Sequence, residues 1–324
     1  MKNTKAIFID SEGTLRNKDK QISLETSEII KKLESVGIHV VITTGLPRFL
    51  SQNISLKANA SKYLISSNGA DIYDLSKSQS IKSSFIDKEV LEELYNLSNY
   101  DYNLIFGVGD FEYSNLANEY NLKAKSLKNI ADIKEGIYQM HISQKPFDIE
   151  LDNYIVEIRN FRKYFDLTSI KLVISETLYQ KLTEEKISKL TTRDICILVR
   201  LIRYLKLFYL QKDILKRYSN YLTVGNQSLD FQKFQYDGET PWFSLNKNGV
   251  SKGNGIINLC EYLGIDPKDT IAIGNDYNDK SMKECVGEFI CPSDARSFVK
   301  EDSNLIYDNQ EGISKVLKKI YERR

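Results

Sequence analysis

Cysteine and histidine are scarce: Cys196, Cys260, Cys285, Cys291, His39 and His141 are the whole supply in 324 residues. No two cysteines form a CxxC pair, so neither a disulfide framework nor a zinc site is indicated, and the thiols read as reduced and mostly buried. Net charge is nearly absent, with 45 Lys+Arg against 44 Asp+Glu. No global field therefore draws the chain to nucleic acid or an anionic membrane, and affinity for a charged ligand must be local. The most apolar stretch, Ile195 to Leu210, is interrupted by Arg200, Arg203 and Lys206, which makes it a poor membrane span. The opening MKNTKAIFID has no apolar run of signal-peptide length, so a soluble, cytoplasmic protein is expected. Repeats and low-complexity segments are missing too, which excludes a solenoid or a tail.

What remains is an ordinary folded composition, 41% hydrophobic and 27% charged, in a chain long enough for two domains of about 150 residues each. Short apolar runs end in polar, glycine-containing loops: Ala6 to Ile9 before Asp10, Val40 to Ile42 before Thr43-Thr44-Gly45, Tyr63 to Ile65 before Ser66-Ser67-Asn68-Gly69, and Thr270 to Ile273 before Gly274-Asn275-Asp276. Helical patterns lie between them. One is capped by Ser23 and stopped by Gly37; another runs from Asn254 to Leu263 and is closed by Gly264. This alternation predicts an α/β fold with a parallel sheet, whose ligand crevice lies outside the carboxyl ends of the strands, so the four loops should converge.

The middle of the chain differs, with more aromatics, longer helices and alternating segments at Tyr138 to Ser143, Ile170 to Ser175 and Trp242 to Leu245. It reads as an insertion covering the crevice. Within it, Arg200, Arg203, Lys206, Lys212, Lys216 and Arg217 face a single Asp213 among aromatics. A partner-binding basic helix is one reading; a surface helix with its cations in water is the plainer one.

The loops bring together Asp10 and Glu12, Thr43 and Thr44, Lys252, and Asn275, Asp276, Asn278 and Asp279. Carboxylates, a hydroxyl, an ammonium and an oxygen-rich loop suit phosphoryl transfer with a hard divalent cation, which screens the carboxylates from an anionic phosphate. A strand-like trace would aim Asp10 and Glu12 to the same side, one to attack phosphorus and one to exchange protons. His39 and His141 read as structural; Tyr277 reads equally as packing or as touching substrate.

These motifs resemble those of the haloacid dehalogenase (HAD) superfamily. Asp10-Ser-Glu-Gly-Thr-Leu is similar to its first motif, usually Asp-x-Asp-Gly-Thr-Leu; Val-Ile-Thr-Thr44-Gly resembles the second, Ser251-Lys252-Gly the third, and Gly274-Asn-Asp-Tyr-Asn-Asp279 the fourth, usually Gly-Asp-x-x-Asn-Asp. Ser67-Asn-Gly-Ala-Asp and Pro292-Ser-Asp-Ala look like the Cof-type branch with a type IIB cap. The resemblance implies a Rossmannoid parallel-sheet core of residues 1–82 and 249–324 with an inserted α+β cap of residues 83–248. It implies a Mg²⁺-dependent phosphatase acting on a small phosphorylated metabolite, such as a sugar phosphate, through an aspartyl-phosphate on Asp10, with Glu12 as general acid/base. Thr44, Gly45 and Lys252 would grip the phosphoryl group, and Asn68 and Asn278 would border the substrate. The Glu12 carbonyl, Asp10, Asn275, Asp276 and Asp279 would form the metal's surroundings.

Three positions depart from the family pattern. Glu12 adds a methylene and shifts the proton donor by roughly 1 Å or more. Asn275 removes a negative charge, which lowers metal affinity unless Asp276 compensates. Leu46 stands where the family often has Arg, with Arg48 as the candidate substitute. The alternatives are therefore a catalytically weak or inactive protein of this fold binding a phosphorylated ligand or partner, and, less favoured, a phosphomutase.

Overall fold

The computed structural model describes residues 4–17, 19–98, 102–117, 124–144, 151–164, 175–183, 189–225, 241–301, 303–309 and 312–323. Its first segment alternates β1 (Ala6–Ile9), α1 (Leu24–Ser35), β2 (His39–Thr43), α2 (Arg48–Lys57) and β3 (Tyr63–Ser66), and ends in a hairpin of β4 (Asp71–Asp74) and β5 (Gln79–Ser83). The middle segment holds α3 (Lys88–Ser98), β6 (Tyr102–Gly107), β7 (Glu112–Ser114), β8 (Lys125–Ser126), β9 (Gln139–Gln144), α4 (Leu151–Tyr164), α5 (Glu176–Thr183), α6 (Thr192–Tyr218), β10 (Leu222–Val224) and β11 (Trp242–Lys247). The last holds α7 (Lys252–Leu263), β12 (Thr270–Ile273), α8 (Lys280–Cys285), β13 (Glu288–Pro292), α9 (Ser297–Lys300), β14 (Leu305–Tyr307) and α10 (Gly312–Glu322).

The first and last segments build one sheet in the order β14-β13-β12-β1-β2-β3-β4-β5, parallel from β14 to β3 and antiparallel at the β4–β5 hairpin. β1 lies at its centre, with Ala6 opposite both His39 and Thr270. A parallel strand covered on both faces must be apolar throughout, and the four residues of β1 are completely buried. Ile7 and Ile9 pack on one side with Ile30 and Leu33 of α1 and Leu317 of α10. Ala6 and Phe8 pack on the other with Ile256 and Leu259 of α7. This is the mixed α/β, parallel-sheet architecture that the alternation of runs implied.

Local signals set the helix ends. The Ser23 hydroxyl accepts from the Thr26 amide at 3.1 Å and α1 ends just before Gly37, at φ +85°. Gly264 closes α7 in the left-handed region. α7 begins two residues earlier than its apolar pattern suggested, because Ser251 caps it, accepting from Asn254 N at 3.1 Å. That puts Lys252 on a rigid first turn.

The second sheet, in the order β10-β11-β9-β6-β7-β8, is antiparallel except for β7 with β8. One face buries Leu104, Phe106, Met140 and Phe243 against Leu91 and Leu94 of α3 and Leu207 and Ile214 of α6. The first half of α6 joins a separate apolar cluster with α4 and α5. Two of the alternating segments thus become β9 and β11; of Ile170 to Ser175, all but Ser175 lie outside the described residues.

The basic stretch lies in α6, and much of its charge is paired. Arg217 meets Asp213 at 2.9 Å, Lys206 meets Glu157 at 2.9 Å, and Lys212 lies over Phe208. Cys260 and Cys291 are buried, all four cysteines are free thiols, and among the described residues no helix is long and apolar enough to cross a membrane.

Candidate active site

β1, β2, β3 and β12 all end on one edge of the sheet, and the residues that follow them are stitched together. Asp10 N donates to Ile273 O at 2.9 Å, Thr44 N to Ile65 O at 2.9 Å, and Asn68 N to Thr44 O at 3.0 Å. The Thr44 hydroxyl lies 2.7 Å from that of Ser11 and accepts from Leu46 N. Thr44 and Gly45 are buried in this seam.

At its centre, Lys252 Nζ donates to Asp10 Oδ1 at 2.5 Å and to Asp279 Oδ1 at 2.6 Å, and the lysine is 1% exposed. Burial pushes the Asp10 carboxyl up, Lys252 pulls it back and Asp279 pushes it further, leaving it at about 7. Burial lowers Lys252, but its two carboxylates more than offset this, so the ammonium stays charged. The second Asp279 oxygen accepts from Asn275 N at 2.8 Å and Asp276 N at 3.0 Å. Asp279 thus spends both oxygens on holding the lysine and shaping the loop. Gly274 makes this possible, since a Cβ there would lie 2.5 Å from Asp279 Cγ.

Two expected carboxylates do not join this cluster. β1 stops at Ile9 and the chain turns at once, with Leu15 N donating to Asp10 O, so the strand-like trace expected through Glu12 is absent. The Glu12 carboxylate instead meets Arg16 at 3.1 Å and is half exposed. Asp276 accepts from Tyr277 N and from Arg296 at 3.2 Å, also half exposed. Among the described residues, no three His, Cys, Asp or Glu side chains form a group that could hold a metal ion. A set that includes a main-chain oxygen and an amide does fit one. One terminal amide atom of Asn275 lies 2.9 Å from Glu12 O and 3.3 Å from Asp10 Oδ2, the spacing of about 3 Å between neighbouring oxygens of an octahedron with bonds of about 2.1 Å.

Asn68 comes from a strained turn in which Ser67, Asn68 and Gly69 all have positive φ, at 49°, 59° and 97°. Asparagine tolerates that region better than other non-glycine residues, whereas serine does not. The turn lets the Asn68 amide bridge the fourth loop and β11: Asn278 Nδ2 donates to its Oδ1 at 3.0 Å, and its Nδ2 donates to Asn246 Oδ1 at 3.2 Å. Asn246, on β11, donates in turn to Ser67 O and Tyr138 O. Asn246 is one of three polar residues in β11, with Ser244 and Lys247, and is completely buried; sequence reasoning passed over it. Beside this amide chain lies a cavity of ≈ 310 Å³ whose lining includes Asn68, Gly225, Lys252, Tyr277, Asn278 and Glu284. Tyr277 is 47% exposed there.

Arg48 does not substitute for an arginine at position 46. Its guanidinium lies over the Tyr73 ring, pairs with the buried Asp71 at 2.6 Å and reaches Asp110, in the β6–β7 turn, at 3.0 Å. Phe49 N donates to Gly109 O beside it. These contacts fasten the second sheet to the first. His39 packs edge-on against Tyr63 and His141 packs at a tilt against Trp242, both away from the cluster, and burial lowers each imidazole, His141 to about 4.

The curated relatives include phosphatase YwpJ of Bacillus subtilis, 23% identical over 98% of this chain and 99% of the relative. Solved structures with the same fold include TM0651 of Thermotoga maritima, at TM-score 0.67 and 18% identity over 98% of this chain and 97% of that one. The HAD subclass IIB sugar phosphatase BT4131 superposes at TM-score 0.63 and 16% identity, covering 98% and 99%. The sequence also matches the haloacid dehalogenase-like hydrolase family over residues 7–317. With the sheet, its strand-end loops and nearly the whole sequence in agreement, this chain belongs to the haloacid dehalogenase-like hydrolase family.

Proposed function

We propose that the protein is a phosphoric monoester hydrolase that cleaves a small phosphorylated metabolite, with a sugar phosphate the leading class, in the cytoplasm. The observation that carries this reading is Lys252 bridging Asp10 and Asp279 at the carboxyl ends of the central strands. One carboxylate is held in place by a buried ammonium while its other oxygen faces the Asn275 amide. Asp10, the Glu12 carbonyl and Asn275 would hold a Mg²⁺ ion, which when bound neutralises phosphate charge and completes the approach of an anion to a carboxylate.

In the proposed reaction an Asp10 oxygen attacks phosphorus. The bond from phosphorus to the ester oxygen breaks, its electron pair goes to that oxygen, and Glu12 supplies the proton that makes the product alcohol. Water then attacks phosphorus and gives its proton to Glu12; the bond to Asp10 breaks, and inorganic phosphate leaves. Lys252 has three N–H donors, two of which serve carboxylates, and the third would meet a phosphoryl oxygen together with Thr44 and the Gly45 backbone. To reach the leaving oxygen, Glu12 must first release Arg16. The unit spanning residues 83–248 would act as a cap on a core of residues 1–82 and 249–324. Its Asn246 would position the Asn68 and Asn278 amides against the leaving group's hydroxyls. Relatives named phosphatases support this assignment.

The test is phosphate release from sugar phosphates, nucleotides and p-nitrophenyl phosphate with Mg²⁺, beside Asp10→Asn. Release at least 10²-fold above that variant is expected; none above it across the panel refutes the hydrolase. The Glu12–Arg16 pairing favours a second reading, a weak or inactive phosphate-ligand binder. A large gain of activity in the Glu12→Asp, Asn275→Asp double variant would support it.

A further inference from the structure

We infer that Asn275 competes with the divalent cation for its own site. Its side chain has two orientations, and the surroundings distinguish them. With its amide nitrogen turned toward Asp10, Asn275 donates to Glu12 O at 2.9 Å, to Asp10 Oδ2 at 3.3 Å and to Thr14 Oγ1 at 3.0 Å. With its oxygen turned there, the same atom position faces a carbonyl, which cannot donate, and Asp10, which cannot donate when ionised, so that only the Thr14 hydroxyl donates to it. The first orientation satisfies a protein without a cation; the second is the one that can coordinate. The Thr14 hydroxyl serves both, as acceptor in one and donor in the other.

Gly13 makes room for the exchange. It adopts φ +73°, and a Cβ there would lie 2.5 Å from the other terminal atom of the Asn275 amide. An aspartate at position 275 has no such alternative: it brings a second negative charge to Asp10 and the Glu12 carbonyl and can donate to neither when ionised. Asn275 therefore supplies in the cation-free protein the donors that a cation would otherwise replace, and the cation must turn the amide half-way round about χ2 to bind. The site is stable when empty and binds weakly for its geometry.

This inference rests on the proposed cation set of Asp10, Glu12 O and Asn275, and its test does not use turnover. Mg²⁺ binding is measured by titration calorimetry, and thermal unfolding is measured in EDTA and in Mg²⁺, for the wild type and Asn275→Asp. The variant is expected to bind Mg²⁺ at least 10-fold more tightly, to melt below the wild type in EDTA, and to recover in Mg²⁺, whereas the wild type melts at nearly the same temperature in both. Equal affinities, or a wild type as sensitive to EDTA as the variant, overturn the competing amide and leave the phosphatase reading standing. No Mg²⁺ binding by either protein overturns both.

A second measurement needs no variant at the site. In the cation-free wild type the Asn275 side-chain N–H resonances should be protected from exchange, and Mg²⁺ should remove that protection. Rapid exchange before the cation is added overturns the proposal even if Asn275→Asp fails to fold.

Discussion

Replacing Lys252 with methionine keeps most of the side chain's volume and removes its charge, leaving Asp10 and Asp279 facing each other in a site where the lysine was 1% exposed and made bonds of 2.5 and 2.6 Å. Breaking a buried ion pair from one side costs about 3–5 kcal/mol because the partner charge is stranded. Here the cost depends on pH, and its sign follows from the loss of a cation. Asp10 already titrates above the unfolded range with the lysine in place, and loss of the ammonium raises it further; such a group contributes stability at low pH that is lost as pH rises through the folded value. The full 3–5 kcal/mol is therefore expected at pH 8. The extra proton that Asp10 holds in the variant returns up to about 1.4 kcal/mol per pH unit, so the deficit narrows as pH falls from 8. Asp279→Asn in the same background should restore much of the loss at pH 8. Urea unfolding in EDTA at pH 5, 6, 7 and 8, followed by far-ultraviolet circular dichroism, reads both sheets; the sole tryptophan, Trp242 on β11, reports only the second. A deficit below about 1 kcal/mol at pH 8, or one that grows as pH falls, refutes the stranded-carboxylate argument.

Arg48→Ala should destabilise the protein by about 3 kcal/mol, because Asp71 is fully buried and loses its partner, whereas Asp110→Asn should cost under about 1 kcal/mol, because the Asp110 side chain is 72% exposed; equal effects in urea unfolding contradict this division. Gly225→Ala drives a methyl into Asn246 Oδ1 and Asn68 Nδ2. It should cost about 1–3 kcal/mol and raise KM for the best substrate more than it lowers kcat; steady-state kinetics showing kcat alone affected argue against an amide chain that contacts the leaving group.

The sheet was legible because its strands carry a signal that burial enforces. β1 and β12 begin and end where their apolar runs do, β2 exceeds its run by a residue at each end, and β3 by one at its carboxyl end. The convergence of Asp10, Thr44 and the fourth loop followed from strand direction, whereas Lys252 reaches them from the first turn of α7, which Ser251 caps. Side-chain direction after the strands did not. Period-two reasoning placed Glu12 beside Asp10, but the Leu15 N to Asp10 O bond turns the chain before that period applies. The oxygen-rich fourth loop concealed three different roles: Asp279 holds Lys252, Asp276 reaches Arg296, and Asn275 faces Asp10. Arg48 was read by its proximity to the second motif, whereas its partners, Asp71 and Asp110, lie 23 and 62 residues away in sequence.

The central position of β1 has a consequence for how the molecule comes into being. Its partner on one side, β2, emerges soon after it, but its partner on the other, β12, begins at Thr270. During synthesis the long middle segment is complete before the strand that closes the first sheet exists, so an apolar edge, Ala6 to Ile9, waits through most of translation. Closing it demands contacts of high sequence separation, the kind that slows folding and exposes chains to aggregation. Asp10 and Lys252 meet across 242 residues. The Asp10–Lys252–Asp279 cluster is thus among the last features to form, and a ribosome-bound chain ending near residue 247 has every strand of the second sheet but lacks the lysine that pairs with Asp10.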